Sequence, residues 1–379
     1  MKHKVFIDGQ AGTTGLRLAE RLSGRPDIEL IEVDEARRKD EGARLACIAA
    51  ADVTFLCLPD DGAREIIAAI DAAASAETAP AAPSAKPPAA IAEAQAPATP
   101  ATETATAKPG PGRPLAEARI IDCSTAHRTA SGWTYGMPEL FRGDGYARAE
   151  KSLRVSNPGC YPTGFILSIR PLVDAGLVDP GAALSAYALT GYSGGGKAMI
   201  SKYEGEEKQG LRAPGRYALE QRHKHLPEMQ KYAGLENAPL FSPIICDYYS
   251  GMLVGVPLPR DALRRNVSAE DIEAALAEYY KDSPIVKVRA AGGKDSEAAD
   301  RPGAEAADRQ GAKTADGGVL SADAFANRDD LEIIVTGEAG RIEIISRFDN
   351  LGKGASGAAV QNMNLILGLP EWTGLVIGN

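Results

Sequence analysis

The sequence predicts an α/β protein with a doubly wound domain first and a strand-rich α+β domain after it. Three observations carry this reading. Apolar strands alternate with helical segments through the N-terminal part, a glycine-rich turn follows the first strand, and beyond "SNPGCYPTG" the apolar runs are mostly strand-like.

"HKVFIDG" is a strand of apolar and β-branched residues ending at Gly9, and "LRLAERLSGRP" has helical spacing at Leu16, Leu18 and Leu22. "IELIEV" is a second strand. "ADVTFLCLP" is a third, its nearly continuous apolar character expected of a parallel strand buried on both faces. "DGAREIIAAIDAA" is a helix with Asp60 or Asp61 near its cap, and "ARIIDCS" is a further strand. In the second half "ALSAYALTGYSGGGK", "LFSPIICDYYSGMLVGVPL", "PIVKVRA", "LEIIVTGEAG" and "RIEIISRFDN" are strand-rich, which suggests a mixed or antiparallel sheet. "SAEDIEAALAEYYKD" is an amphipathic helix opened by Ser268 with Asp271 three residues on. "GKGASGAAVQNMNLILGL" is a closing helix after a glycine-rich turn.

Two stretches break the pattern. Residues 73–113 are almost entirely Ala, Pro, Thr, Ser, Glu and Lys, and 290–330 are similar in kind. Neither has a periodic apolar face, so both are expected to be flexible insertions that leave the core untouched.

A net charge of −9 over 379 residues argues against nucleic acid or an anionic membrane as the main partner. No apolar run reaches the roughly 20 residues that span a bilayer, and the start lacks a signal-peptide core. Five scattered cysteines without a C-x-x-C pair indicate neither a disulfide framework nor a zinc site. No metal is expected, and a cytoplasmic protein with reduced thiols fits best.

Four motifs carry chemistry. Gly9, Gly12 and Gly15 are spaced G-x-x-G-x-x-G between a strand and a helix, where a pyrophosphate can approach the helix N-terminus. In "VDEARRKD", after the second strand, Asp34 and Glu35 suit the ribose of NAD, whereas Arg37, Arg38 and Lys39 suit a 2′-phosphate and tip the reading to NADP. In "SNPGCYPTG", Asn157-Pro158-Gly159 makes a turn and Thr163 opens an apolar run, so Cys160 is either a buried thiol or a nucleophile at a helix mouth. Cys47, Cys57 and Cys246 lie within apolar runs and read as structural; Cys123 is less clear. In "RHKHLPEM", His223 and His225 point apart in either a strand or a helix, and one of them could exchange protons with Cys160. Finally "DCSTAHRT", with Ser124, His127 and Arg128, and "GYSGGGK", with Lys197, could hold an anionic substrate.

Together "GQAGTTG", "SNPGCYPT", "GYSGGGK", "HKHLPE" and "GKGASGAAVQNMN" resemble the N-acetyl-gamma-glutamyl-phosphate reductases of arginine biosynthesis, the type 2 branch most closely. The resemblance runs along nearly the whole chain except the two Ala-rich stretches. It implies a Rossmann NADP-binding domain over 1–157, completed by a closing helix in 352–379. It also implies a catalytic and oligomerisation domain of the aspartate-semialdehyde/glyceraldehyde-phosphate dehydrogenase type over 158–351. Cys160 would be the nucleophile and His225, or else His223, the acid/base. Gly9, Gly12, Thr13, Thr14, Gly15, Arg37, Arg38 and Asn362 would hold the cofactor. Ser124, Arg128, Asn157 and Lys197 would hold an acyl-phosphate substrate, in a homo-oligomer. Aspartate-semialdehyde dehydrogenase and the lysine-pathway acyl-phosphate reductases are the alternatives, and a non-catalytic dinucleotide sensor is a remoter one.

Overall fold

The computed structural model describes residues 2–78, 113–140, 144–264, 267–290, 319–338 and 340–378. The first sheet is built from β1 (His3–Asp8), β2 (Ile28–Ile31), β3 (Val53–Leu56), β4 (Ile120–Asp122), β5 (Thr134–Tyr135) and β6 (Arg154–Ser156). All its pairings are parallel, in the order β2-β1-β3-β4-β6-β5. The chain reverses its direction of winding between β1 and β3, which opens a crevice at their C-terminal ends.

Helices α1 (Thr13–Ser23), α2 (Glu41–Ala50), α3 (Asp60–Thr78) and α4 (Asp144–Lys151) belong to this half. Alternation along β1 sends Val5 and Ile7 to one face with Leu18 and Leu22, and Phe6 to the other with Ile48, Ile66 and Ile70. Leu16, which shares the helical spacing of Leu18 and Leu22, is instead 41% exposed.

The second sheet contains β7 (Ser185–Gly191), β8 (Gly215–Arg216), β9 (Leu240–Cys246), β10 (Met252–Pro259), β11 (Val286–Ala290), β12 (Leu331–Glu338) and β13 (Arg341–Phe348). Its order is β11-β12-β13-β10-β7-β9-β8, with parallel pairs β11/β12 and β7/β9 and antiparallel pairs elsewhere. It packs against α5 (Cys160–Asp174), α7 (Leu226–Ala233) and α8 (Ala269–Tyr280), while α6 (Gly196–Glu204) follows β7. The capping box at the start of α8 forms as its sequence predicts, with Asp271 N–H donating to Ser268 Oγ at 3.2 Å. The closing helix α9 (Gly357–Ile366), entered through the π-turn Gly352–Ser356, returns to the first sheet and places Val360 and Met363 against Val5 and Phe55.

Three boundaries differ from the sequence expectation. The insertion expected from residue 73 begins later: α3 continues to Thr78 and packs Ala73 and Ala74 inward, and by Arg113 the chain is bonded to Ala49. Residues 79–112 lie outside the described residues. In the stretch 290–330, residues 291–318 also lie outside them, but the end belongs to the fold. Asp329 is fully buried and accepts from Arg21 Nη1 at 2.7 Å and from Val376 N–H at 2.8 Å. The closing helix stops at Ile366, and the remaining chain returns as turns, its Thr373 carbonyl accepting from Arg25 at 2.9 Å.

Helix α5 positions the candidate nucleophile and carries a proline at 171. Pro171 has no N–H for the Leu167 carbonyl. The Tyr280 hydroxyl takes its place, donating to that carbonyl at 2.7 Å in a buried site. Tyr280→Phe leaves the carbonyl without this partner and is expected to lower stability by about 1–2 kcal/mol in chemical denaturation.

Candidate active site

The turn after β1 is shaped for an anion. Gly9 has φ +89°, and a Cβ there would lie 2.5 Å from the Cys57 carbonyl oxygen. Gly15 is pressed against Gly9 in the same way, whereas a Cβ on Gly12 would meet nothing nearer than 3.5 Å. Gly12 caps α1 without offering a side chain, and the first turn, Thr13 and Thr14 included, holds no acid. The first N–H groups of the helix therefore face a space that can take a pyrophosphate.

Arg37 and Arg38 lie exposed in the turn after β2, paired with Asp40 at 2.9 Å and Glu35 at 3.6 Å. Asp34 is occupied by the backbone, accepting from Ala36 N–H at 2.9 Å. Asn362 sits buried on α9 and donates to the Gly136 and Ala358 carbonyls at 2.8 and 2.9 Å; its buried Oδ1 has no partner. The glycine turn and the unpaired amide oxygen fit a nicotinamide dinucleotide, with phosphates at α1 and an amide acceptor deeper in the fold.

Cys160 is the first residue of α5, half-buried, with Gly159 as the cap. Three side chains converge on Gly159: a Cβ there would lie 2.5 Å from Arg128 Nη1, 2.7 Å from Glu228 Oε1 and 2.8 Å from His225 Nε2. Any side chain at 159 would displace them. Glu228 is buried and accepts from Arg128 Nη1 at 2.7 Å, from the Tyr135 hydroxyl at 2.9 Å and from Gly159 N–H at 3.2 Å. Burial opposes the charge on Arg128, but Glu228 outweighs it and holds the guanidinium protonated.

The environment of the thiol differs from the expectation that a helix mouth lowers its pKa. Burial pushes Cys160 up to about 11, against the downward pull of Arg128, the Tyr161 N–H and Lys224. Burial, then Arg128 and His223, hold His225 well below its usual 6.5. Thiol and imidazole are both neutral near pH 7.

The two histidines, expected to point apart, come together because their loop is neither strand nor helix. Their ring centroids are 4.7 Å apart, and both lie edge-on to Tyr161. They are not equivalent. His223 Nδ1 accepts from His225 N–H at 3.2 Å, and its Nε2 lies 3.4 Å from the Tyr217 hydroxyl. His225 Nδ1 is buried without a partner.

The other candidates are placed as follows. Ser124 is buried and bonded to Asp122 through both N–H (2.9 Å) and Oγ (2.8 Å), so it shapes the loop that delivers Arg128. His127 Nδ1 meets the same carboxylate at 2.6 Å. Asn157 accepts from Arg128 Nε through its carbonyl at 2.9 Å and donates to Ala355 at 3.0 Å, tying the cysteine turn to the closing segment. Lys197 is exposed at the start of α6, where a Cβ on the preceding Gly196 would lie 3.7 Å from Thr13 Oγ1. It therefore stands by the glycine turn after β1. Glu228 and Tyr135 were not singled out from the sequence. Glu228 was visible as the acid three residues after His225, and Tyr135 carried no signal. Among the described residues no group of three or more His, Cys, Asp or Glu could hold a metal ion, and no helix is long and apolar enough to cross a membrane.

Comparisons with known proteins give the family and the fold. Residues 160–350 match the family described as semialdehyde dehydrogenase, dimerisation domain. N-acetyl-gamma-glutamyl-phosphate reductase 2 of Nostoc sp. is 38% identical, with 99% of each chain covered. The protein of the same name from Pseudomonas putida is 38% identical over 96% of each chain. Among solved structures, a probable aspartate-semialdehyde dehydrogenase from Pseudomonas aeruginosa has a TM-score of 0.59 at 15% identity, covering 97% of this chain and 99% of that one. Aspartate semialdehyde dehydrogenase with NADP from Candida albicans has a TM-score of 0.55 at 14% identity, with 97% and 99% covered. These structural likenesses carry the fold, and the sequence identity carries the family: the chain belongs to the N-acetyl-gamma-glutamyl-phosphate reductases.

Proposed function

We propose that the protein reduces N-acetyl-L-glutamyl 5-phosphate to N-acetyl-L-glutamate 5-semialdehyde and phosphate, with NADPH as reductant and Cys160 as nucleophile. The observation that carries this reading is the convergence of Arg128, Glu228 and His225 on Gly159, beside a thiol at a helix N-terminus. Gly9, Gly12, Thr13, Thr14 and Gly15 would hold the dinucleotide phosphates and Asn362 the nicotinamide amide. Arg37 and Arg38 favour a 2′-phosphate, because their present partners are exposed acids whose pairing is weak and easily exchanged. Bound there, the reduced dinucleotide supplies a hydride.

The residues of the chain do the rest. His225, neutral, takes the Cys160 proton at Nε2 as sulfur attacks the acyl carbon. The C–S bond forms, the bond from carbon to the phosphate oxygen breaks, and the departing phosphate takes a proton from solvent. A thioester on Cys160 remains. After hydride reaches its carbonyl carbon, the thiohemiacetal oxyanion expels sulfur, and the proton held at His225 returns to it. Glu228 keeps Arg128 and the Gly159 N–H in place. His223 serves as a fixed support, since both of its ring nitrogens are engaged. The match to a dimerisation domain over 160–350 supports a homodimer.

His225→Asn is expected to lower kcat about 10²–10⁴-fold with little change in KM for the dinucleotide, read by initial rates. The pH profile follows from the two neutral groups. The base form of His225 persists below pH 6 because its pKa is depressed, so the acid limb is displaced downward from the usual imidazole range. On the alkaline side kcat/KM stays level through the range in which the thiol, raised by burial to about 11, is neutral and His225 removes its proton. A profile falling through 6.5 on the acid side would contradict the assignment.

The reading itself is tested by NADPH oxidation with N-acetylglutamyl phosphate and aspartyl phosphate in parallel. A preference of at least about 100-fold for the acetylated substrate is expected. Preference for aspartyl phosphate would overturn it.

A further inference from the structure

Two cysteines outside the proposed mechanism stand side by side. Cys57 follows the last residue of β3 and Cys123 the last residue of β4. These strands are parallel neighbours with Leu56 facing Asp122, and the ladder runs one step further as Cys123 N–H donates to the Leu56 carbonyl at 2.9 Å. Alternation along the strands puts both side chains on the face that carries Val5, Ile7, Phe55 and Ile121. The Cys57 thiol donates to the Cys123 sulfur, and that bond, then burial, holds its pKa well above the ordinary value. Facing residues of adjacent strands are about 4.8 Å apart, inside the about 4.4–6.8 Å between Cα atoms that a disulfide spans. Both cysteines are only half-buried, so a small reagent can reach them.

Their place decides the consequence. The two residues end the strands that form the floor of the crevice. The Cys57 carbonyl walls the Gly9 turn, where a Cβ would lie 2.5 Å from its oxygen. The Cys123 carbonyl accepts from Arg128 Nη2 at 3.4 Å. The loops beyond are tied together as well, with Thr125 N–H donating to Asp60 at 2.9 Å. Drawing the sulfurs from hydrogen-bond contact to a covalent bond of about 2.0 Å moves both strand ends where there is no slack.

We propose that Cys57 and Cys123 are a redox-active dithiol that closes to a disulfide in exchange with a low-molecular-weight disulfide, and that closure weakens dinucleotide binding at the turn beside it. One protein thiolate attacks a sulfur of the reagent, the reagent's S–S bond breaks, and the first reagent thiol leaves with that cysteine's proton. The second cysteine attacks the mixed disulfide, and the second reagent thiol leaves with the second proton. The cysteine pair loses two electrons and the reagent gains them. Formation of the bond does not rest on the proposed reaction; its effect on binding rests on the reading of the Gly9 turn as the dinucleotide site.

Incubation of the Cys160→Ser protein with oxidised glutathione for hours, then peptide mapping without reductant and titration with NADPH, tests it. The Cys160→Ser background keeps that thiol from competing. A linked Cys57–Cys123 peptide is expected, with NADPH bound at least about tenfold more weakly than by the reduced protein and full recovery after dithiothreitol. With Cys57→Ser or Cys123→Ser added, the same treatment should leave the affinity unchanged. No linked peptide at millimolar oxidised glutathione, or a linked peptide with unchanged affinity, would overturn the proposal. A reduced protein that binds no NADPH would instead overturn the dinucleotide reading, and with it the effect on binding, while the linked peptide still decides the pair.

Discussion

Replacing Cys160 with serine is expected to lower reductase turnover by about 10⁴-fold or more. A serine hydroxyl is a far weaker nucleophile than a thiol, and an oxygen ester is a poorer hydride acceptor than a thioester. The change is small in volume at a half-buried helix terminus, so the fold and the glycine turn at Gly9 should be undisturbed. NADPH binding, followed by quenching of intrinsic fluorescence, should therefore match that of the unaltered protein while kcat collapses. Retained turnover in the serine variant would remove the covalent mechanism. A non-catalytic dinucleotide sensor would show no turnover in either protein.

The second large effect is at Glu228. Glu228→Ala removes the acceptor for Arg128, for the Tyr135 hydroxyl and for the Gly159 N–H at once. The Arg128 guanidinium then remains buried without a counter-charge, which costs about 3–5 kcal/mol. The melting temperature should fall by about 10 °C, with kcat lowered as well because Gly159 and Cys160 lose their anchor. Glu228→Gln keeps the volume and one acceptor oxygen, and should recover part of the stability. A melting temperature unchanged in the alanine variant would show that the Arg128–Glu228 pair holds nothing.

The first four strands were legible in the sequence because parallel strands covered by helices are apolar nearly throughout, as β3 is, whereas the two- and three-residue strands β5, β6 and β8 are too short to carry such a pattern. The tight turn after β1 was legible because only glycine tolerates the approach of Gly9 to Cys57. Helix α2 carries little signal in the sequence, because its first turn is charged and its apolar residues are mostly alanine. The same ambiguity of alanine hid the end of α3: residues 73–78 read like the insertion after them, yet the helix runs on, Ala73 and Ala74 pack on the core, and Glu77 accepts from the Leu115 N–H at 3.2 Å where the chain returns. Asp329 and Asp330 end the stretch expected to be a flexible insertion, and only their distant or folded-back partners, Arg21 and Arg328, tie them to the fold.

The candidate site was half legible. Cys160 and the histidine pair stood out by residue type. What organises them is a contact across 100 residues, Arg128 to Glu228, and spacing along a chain does not show such a contact. The thiol shift is a further case, since a helix mouth lowers a thiol pKa only if burial does not win, and here burial wins.

Mass spectrometry after mixing the protein with N-acetylglutamyl phosphate in the absence of dinucleotide tests the central claim most directly. The account predicts one N-acetylglutamyl group on the peptide carrying Cys160, discharged on adding NADPH and absent from Cys160→Ser. An enzyme that turns over NADPH with this substrate but never carries the acyl group on Cys160, or carries it on another residue, would contradict the account.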